Sequence, residues 1–255
     1  MKQNPLIVIL GPTASGKTTL AVHLAKELGG EIISADSRQI YRGLDLGTGK
    51  DLAEYEIGDT TIKHHLIDIF DVGTPYSVAH FKSDAIKAIN NVAKNGKIPI
   101  LCGGTGLYID ALLSNYEFSH VPDFLEENQF LNRDFIVFGL NLPVEIRRQR
   151  CALRLQQRLD EGLIQEVENL LAIGINPADL KWLGLEYKWI VNYLEREISW
   201  EEFRKGLEIS IQQFSKRQMT FFRKMERSGI DIQWVNFEFS LQERINWIIS
   251  KINFQ

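Results

Sequence analysis

Cysteine is nearly absent: Cys102 and Cys151 are the only two in 255 residues, too few for a disulfide framework or a thiolate zinc site. That count fits a reducing compartment. No uninterrupted apolar run approaches the ~20 residues of a spanning helix, and Met1-Lys2-Gln3-Asn4-Pro5 leads only into a short strand-like run. A cytoplasmic chain without membrane contact is expected. Seven prolines, 19 glycines and no internal repeat exclude collagen-like and low-complexity classes. Neither charge is in large excess, and a net −4 argues against indiscriminate binding to nucleic acid. The remaining composition, 44% hydrophobic and 24% charged, is ordinary for a globular protein. A chain of this length buries roughly 70–75% of the surface its unfolded state exposes, which makes a core without disulfides or structural metal.

Short β-rich runs alternate with helical stretches in the first half: strands at residues 6–10, 31–35, 66–69, 98–102 and 135–140, helices at 18–28, 78–93 and 107–113. Continuous apolar runs bounded by glycine and proline are the mark of strands buried on both faces, hence of a parallel sheet. From Pro143 the pattern turns helical, at 163–171, 187–194 and 200–225, before a last strand at 232–235. With no long polar linker, a single domain over residues 1–255 is the simplest account.

Gly11-Pro12-Thr13-Ala14-Ser15-Gly16-Lys17-Thr18 satisfies G-x-x-x-x-G-K-[ST], directly after a strand and directly before a helix, the context that motif requires. Its glycines let backbone N–H groups converge on an anion. The helix N-terminus adds partial positive charge, Lys17 a point charge, and the Thr18 hydroxyl can reach Mg²⁺. A diphosphate is the expected ligand, and the fold class is α/β: a P-loop NTPase-like parallel sheet with helices on both faces and a helical C-terminal part. The motif leaves open which diphosphate binds and what becomes of it.

In such sheets ligands lie beyond the carboxyl ends of the strands. Asp36-Ser37-Arg38-Gln39-Ile40-Tyr41 follows the second strand; Asp36 could take a proton from a nucleophile and Ser37 and Gln39 could read a base edge, or the segment could simply cap a helix. Gly103-Gly104-Thr105-Gly106 follows the fourth run, either a second anion site with Thr105 as donor or a turn chosen for its backbone angles. Asp68 could hold magnesium or orient a loop, with the loop preferred. His64 and His65 lack partners at metal-ligand spacing and read as structural hydrogen-bonders.

Arg147, Arg150, Arg154 and Arg158 share one helix face, either a phosphate lid, a grip on a nucleic-acid backbone, or a solvated surface. In the last long helix Ile211, Phe214, Phe221 and Met225 are expected to form the buried stripe. Arg217 falls ~60° around the axis from Phe214, so it should flank the core and meet an anionic partner. Between Lys216 and Arg227 five basic residues face one acid, Glu226; Lys216, Thr220, Arg223 and Arg227 cluster on a face suited to solvent or a polyanion.

This ordered series resembles the tRNA dimethylallyltransferases (isopentenyltransferases). The segments that carry the likeness are the glycine-rich loop, Ser34-Ala35-Asp36-Ser37-Arg38-Gln39-Ile40-Tyr41, Gly47-Thr48-Gly49-Lys50, residues 64–68, Tyr76-Ser77-Val78 with Phe81, the turn at Gly103 with Tyr108, and Lys216-Arg217-Gln218 with Thr220 and Arg223. The resemblance implies that dimethylallyl diphosphate, not a nucleotide, fills the loop, held by Gly11, Thr13, Ala14, Ser15, Gly16, Lys17 and Thr18. The acceptor it implies is the N6 amine of an adenosine near a tRNA anticodon, bound by Asp36, Ser37, Arg38, Gln39, Thr105, Arg150 and Arg154. Asp36 would take the amine proton; Lys17, Arg217 and Thr18 with Mg²⁺ would meet the leaving-group charge; Thr105 would hold the acceptor side. A cytoplasmic monomer is expected. The family's usual helical insertion has no counterpart here, since only residues 119–134 separate Phe118 from the next strand. That keeps alternatives open: isopentenyl transfer to a free adenine nucleotide, a small-molecule kinase with the arginine face as lid, and a paralogue that binds without turnover.

Overall fold

The computed structural model describes residues 4–114 and 133–252, so most of the 119–134 segment and the first three residues lie outside the described residues. Its eight strands are β1 (Leu6–Leu10), β2 (Gly30–Ser34), β3 (Glu56–Ile57), β4 (Thr60–Thr61), β5 (His64–His65), β6 (Ile98–Gly103), β7 (Phe135–Leu140) and β8 (Ile232–Val235). Between them run α1 (Lys17–Leu28), α2 (Val78–Lys94), α3 (Gly106–Leu113), α4 (Val144–Asp160), α5 (Leu163–Ala172), α6 (Pro177–Leu183), α7 (Leu185–Leu194) and α8 (Trp200–Arg227), and α9 (Leu241–Lys251) follows. Six strands make one sheet in the order β5-β2-β6-β1-β7-β8, every pair parallel. β3 and β4 form a separate hairpin.

β1 sits inside the sheet, with Ile7 opposite Ile100 on one side and Ile136 on the other. All five of its residues are buried, as the unbroken apolar run requires. Because successive side chains alternate, Leu6, Val8 and Leu10 join a core with α2, α3, α7 and α8, while Ile7 and Ile9 join another with α1 and α9. Helices therefore cover both faces, as expected. All six strands of the sheet point the same way, so the loops after β1, β2 and β6 emerge along one edge.

Three helices start on a serine whose hydroxyl accepts from the third helical N–H: Ser77, Ser199 and Ser240. The Ser240-x-x-Glu243 signature would have announced α9, which periodicity alone missed.

Two expectations fail. Residues 66–69 are not a strand: the pairing strand is β5, which starts two residues earlier, and Leu66 and Asp68 have φ of 62° and 56°, outside the β region. Asp68 N–H donates to Gln39 O and Ile69 N–H to Ile40 O, so long-range anchoring sets the backbone there. On α8 the buried side includes Ile211, Ser215, Gln218, Met219, Phe222 and Met225, whereas Phe214 and Phe221 are half-buried. The stripe is rotated because polar Ser215 and Gln218 are drawn inward, Gln218 by partners in the loops described below. The histidines do serve structure: His65 Nε2 lies 2.7 Å from the buried Glu31 carboxylate, and the His64 ring packs 4.8 Å from Tyr55.

Candidate functional site

The loop after β1 turns through Ala14 (φ 62°) and Gly16 (φ 82°) into α1. Gly16 occupies the N-cap and brings no side chain to it, which leaves the first amides of α1 for an anion. Ser15 is buried with its hydroxyl unpaired. Burial lowers the pKa of Lys17, with Arg154 adding to the effect and Asp36 and Asp51 opposing it. Lys17 and Thr18 line both cavities here. One, about 220 Å³, opens over Ser15 and Gly16 toward Arg150 and Arg154. The other, about 50 Å³, holds Asp36, Arg38, Arg154 and Glu186 and is closed by Leu155, Leu163 and Ile211. A phosphate cradle and a carboxylate thus share one pocket.

Asp36 leaves the end of β2 and accepts from Arg38 N–H at 3.0 Å, an Asx turn that fixes its carboxylate. Thr105 accepts from Ser37 N–H at 3.0 Å and donates its own N–H to Ala35 O at 3.1 Å. Thr105 therefore ties the loop after β6 to the loop that carries Asp36, and does not itself line the pocket. Gln218 completes the tie from α8. Its Oε1 accepts from Thr13 N–H at 2.8 Å and its Nε2 donates to Gly104 O at 3.0 Å. Gly104 is required by that approach, since a Cβ there would stand 2.4 Å from Gln218 Nε2. The signal for Gln218 was a polar residue four positions after Phe214 and four before Phe222, on the buried side of the helix.

Several expected nucleic-acid readers are already engaged. Gln39 accepts from Ser34 Oγ and donates to Gly49 O, both at 2.9 Å. Arg38 pairs with Glu186 at 2.6 Å and lies over the Phe214 ring. Burial alone would lower the Arg38 pKa, but Glu186 and Asp36 more than offset it and leave it raised. Asp68 takes the orienting role: together with Asp45 and Tyr41 O it receives the fully buried Lys50 ammonium. Glu166 accepts from the N–H groups of Asp45, Leu46 and Gly47 and from the Tyr187 hydroxyl, clamping the same loop.

The four arginines expected to share one face of α4 do not act alike. Arg150 is exposed and faces the phosphate loop, Arg154 is half-buried, and Arg147 and Arg158 are buried. Asp51 holds Arg154 and, at 2.8 Å, Arg158. Asp51→Asn should keep the backbone, whose φ of 44° asparagine tolerates, yet leave two cations side by side. A loss of about 1–3 kcal/mol in urea-unfolding stability is expected; an unchanged midpoint would show that the pair carries no net weight. Arg217 is exposed, stacks on Phe214, has no acidic partner among the described residues, and lines a separate groove with Lys216, Lys224 and Arg227. The structure does not bring it to Lys17 and Asp36. Its expected anionic partner is absent because the buried side of α8 is turned toward Ser215 and Gln218.

Among the described residues no cluster of three His, Cys, Asp or Glu could hold a metal unaided. The Thr18 hydroxyl, unpaired beside the cradle, suits Mg²⁺ that draws its other ligands from a bound diphosphate and water. Among the described residues no helix is long and apolar enough to cross a membrane.

The IPP transferase family pattern matches residues 39–132 and 119–225, and the isopentenyl transferase pattern residues 4–68. The chain is 40% identical over 303 residues to tRNA dimethylallyltransferase 2 of Bacteroides fragilis, with 99% of each covered. It is 42% identical over 282 residues to tRNA dimethylallyltransferase 1 of Porphyromonas gingivalis, covering 91% of this chain and 93% of that one. The solved tRNA delta(2)-isopentenylpyrophosphate transferase from Staphylococcus epidermidis matches with a TM-score of 0.82 at 30% identity, covering 98% of this chain and 99% of the other. An alignment of 303 positions against 255 residues means that the Bacteroides relative has residues with no counterpart here, as expected of a short member.

Proposed function

The chain belongs to the IPP transferase family, and from that premise we propose that it transfers a dimethylallyl group from dimethylallyl diphosphate to N6 of an adenosine near the tRNA anticodon. The observation that carries the residue roles is the shared pocket, with Lys17 and Thr18 at one side and Asp36 at the other. The amine nitrogen forms a bond to C1 of the allyl group as the C1–O bond breaks and diphosphate leaves with the electron pair. Asp36, its carboxylate fixed by Arg38 N–H, accepts the nitrogen's proton. The α1 amides, Lys17 and Arg154 meet the charge that grows on the leaving group, and preorganised donors of this kind are usually the largest catalytic contribution. Mg²⁺ at Thr18 would supply further positive charge to the same oxygens. Arg217 lines a separate groove, so we assign the leaving-group role to Arg154, which lines the pocket.

Thr105 and Gln218 are positioning residues: they hold the Asp36 loop, the phosphate loop and α8 in one frame, which is what an in-line displacement needs. Arg150, exposed beside the cradle, would meet the acceptor's backbone. The adenine must leave its stack to enter, at a cost of a few kcal/mol. We place the enzyme in the cytoplasm as a monomer.

The test is incubation of the purified protein with Mg²⁺, labelled dimethylallyl diphosphate and either unmodified tRNA or AMP. Label on tRNA is expected. Label on AMP alone would redirect the acceptor to free nucleotide, and ATP consumption with label on neither would overturn prenyl transfer in favour of phosphoryl transfer.

A further inference from the structure

A third cavity, about 840 Å³, lies between α4 and α8 beyond the end of β7. Its floor is buried: Arg147, Cys151, Ser215 and Met219. Its rim is exposed and cationic: Arg148, Lys216 and Arg223. None of the described residues lining it is acidic.

Two features of the floor point to a missing ligand. Arg147 is only 8% exposed, yet among the described residues its guanidinium has no hydrogen-bond or ion-pair partner and lines the cavity. Ser215 is 1% exposed, and its hydroxyl has no partner. The Ser215 hydroxyl is enclosed and costly to leave unsatisfied, whereas the Arg147 guanidinium faces the cavity and is open to a ligand there. Burial lowers the pKa of Arg147, and Arg223 and Arg148 push it further down, so the positive charges crowd one another. An anion would relieve all of them together.

The cavity adjoins the reaction pocket. Cys151 lines both, and its thiol points at Thr13 O of the phosphate loop. Arg147 stands two helical turns, about 10 Å, before Arg154 along α4. The diphosphate already has its own cradle, and 840 Å³ is room for a nucleotide unit rather than an inorganic ion. Uncharged amides at Gln212 and Gln213 and the apolar Ile209 and Phe237 suit a base and sugar beside the phosphate.

We propose that Arg147, Ser215 and Arg223 form an anion site for the phosphodiester of a nucleotide adjacent to the acceptor adenosine. This rests on RNA being the acceptor. The site would fix the strand's register next to the pocket, with Lys216 and Thr220 continuing it into the basic groove that Arg217, Lys224 and Arg227 line.

The test uses the full chain, a fluorescent unmodified anticodon stem-loop RNA, and binding by anisotropy over a range of salt. Arg147→Gln should weaken RNA binding about tenfold and flatten the slope of log K against log salt by about 0.7 per lost contact. Arg223→Gln, a rim change that leaves the core intact, should flatten the slope likewise, while Ser215→Ala should weaken binding by a smaller factor. In each variant KM for dimethylallyl diphosphate should stay within about twofold of wild type. Unchanged RNA affinity and slope in both arginine variants, with label still reaching RNA, would overturn this site alone. So would a rise in KM for dimethylallyl diphosphate with RNA binding untouched. Wild-type protein that neither binds nor prenylates RNA would instead overturn the acceptor assignment and this inference with it.

Discussion

Asp36→Ala should lower turnover by at least ~10²-fold while leaving the affinity for dimethylallyl diphosphate nearly unchanged. The split follows from position. Asp36 sits at the end of β2, across the pocket from the α1 amides that hold the diphosphate, so its loss removes no donor to that ligand. What disappears is the acceptor for the proton that N6 must shed. Asp36 also closes the turn with Arg38 N–H, and alanine abolishes that bond as well. Asp36→Asn separates the two effects, since its amide oxygen keeps the turn but cannot act as a base at neutral pH. If the asparagine variant turns over at the wild-type rate, Asp36 is not the base and its role is confined to the loop. Steady-state kinetics on RNA, with calorimetric binding of the diphosphate, reads both quantities.

Lys17→Met should lower kcat/KM by ~10²–10³-fold, the range seen when one preorganised donor to developing charge is removed. Both KM for dimethylallyl diphosphate and kcat should suffer, because the ammonium meets the substrate's charge and the larger charge of the leaving group. A pH signature accompanies it. Burial lowers Lys17 from the ordinary lysine value, and a bound diphosphate favours the ammonium form. Below the lowered pKa the lysine is already charged and affinity is full; as pH rises through it, binding must take up a proton and affinity falls. Lys17→Arg remains charged throughout that range, so its affinity should not show this alkaline loss, whatever its absolute value. Identical alkaline limbs in the wild type and the arginine variant would remove Lys17 from contact with the ligand.

The legibility of the site divides by how far apart the cooperating residues lie. The phosphate loop was readable because strand, glycine turn and helix are contiguous, and each imposes a local pattern: apolar run, positive φ at Gly16, apolar spacing in α1. Asp36 was readable as a candidate from its place after a strand. The distant pairs that frame the loops around it were not. Thr13 and Gln218 are 205 residues apart, and Arg38 and Glu186 are 148 apart. Gln39 looked free to read a base because Gly49 O, its partner, gives no sign of itself in a local pattern. Arg217 looked like a flank to the core because the stripe was drawn through Phe214 and Phe221, and a helix carries two candidate stripes when polar residues can be buried by distant partners.

By itself, then, the order of residues determined the α/β class, the parallel sheet and the anion cradle, since all of these follow from periodicity and backbone requirements within a few neighbouring positions. Only the tertiary structure decided which charges are spent on other charges. Lys50 consumes Asp68, Asp51 consumes Arg158 and orients Arg154 at the pocket wall, and Glu186 consumes Arg38, whereas Lys17, Arg154 and Arg147 remain for ligands. A charge's partner depends on where the chain returns in space, and burial makes that pairing decisive, because an unpaired ion is costly once water is gone.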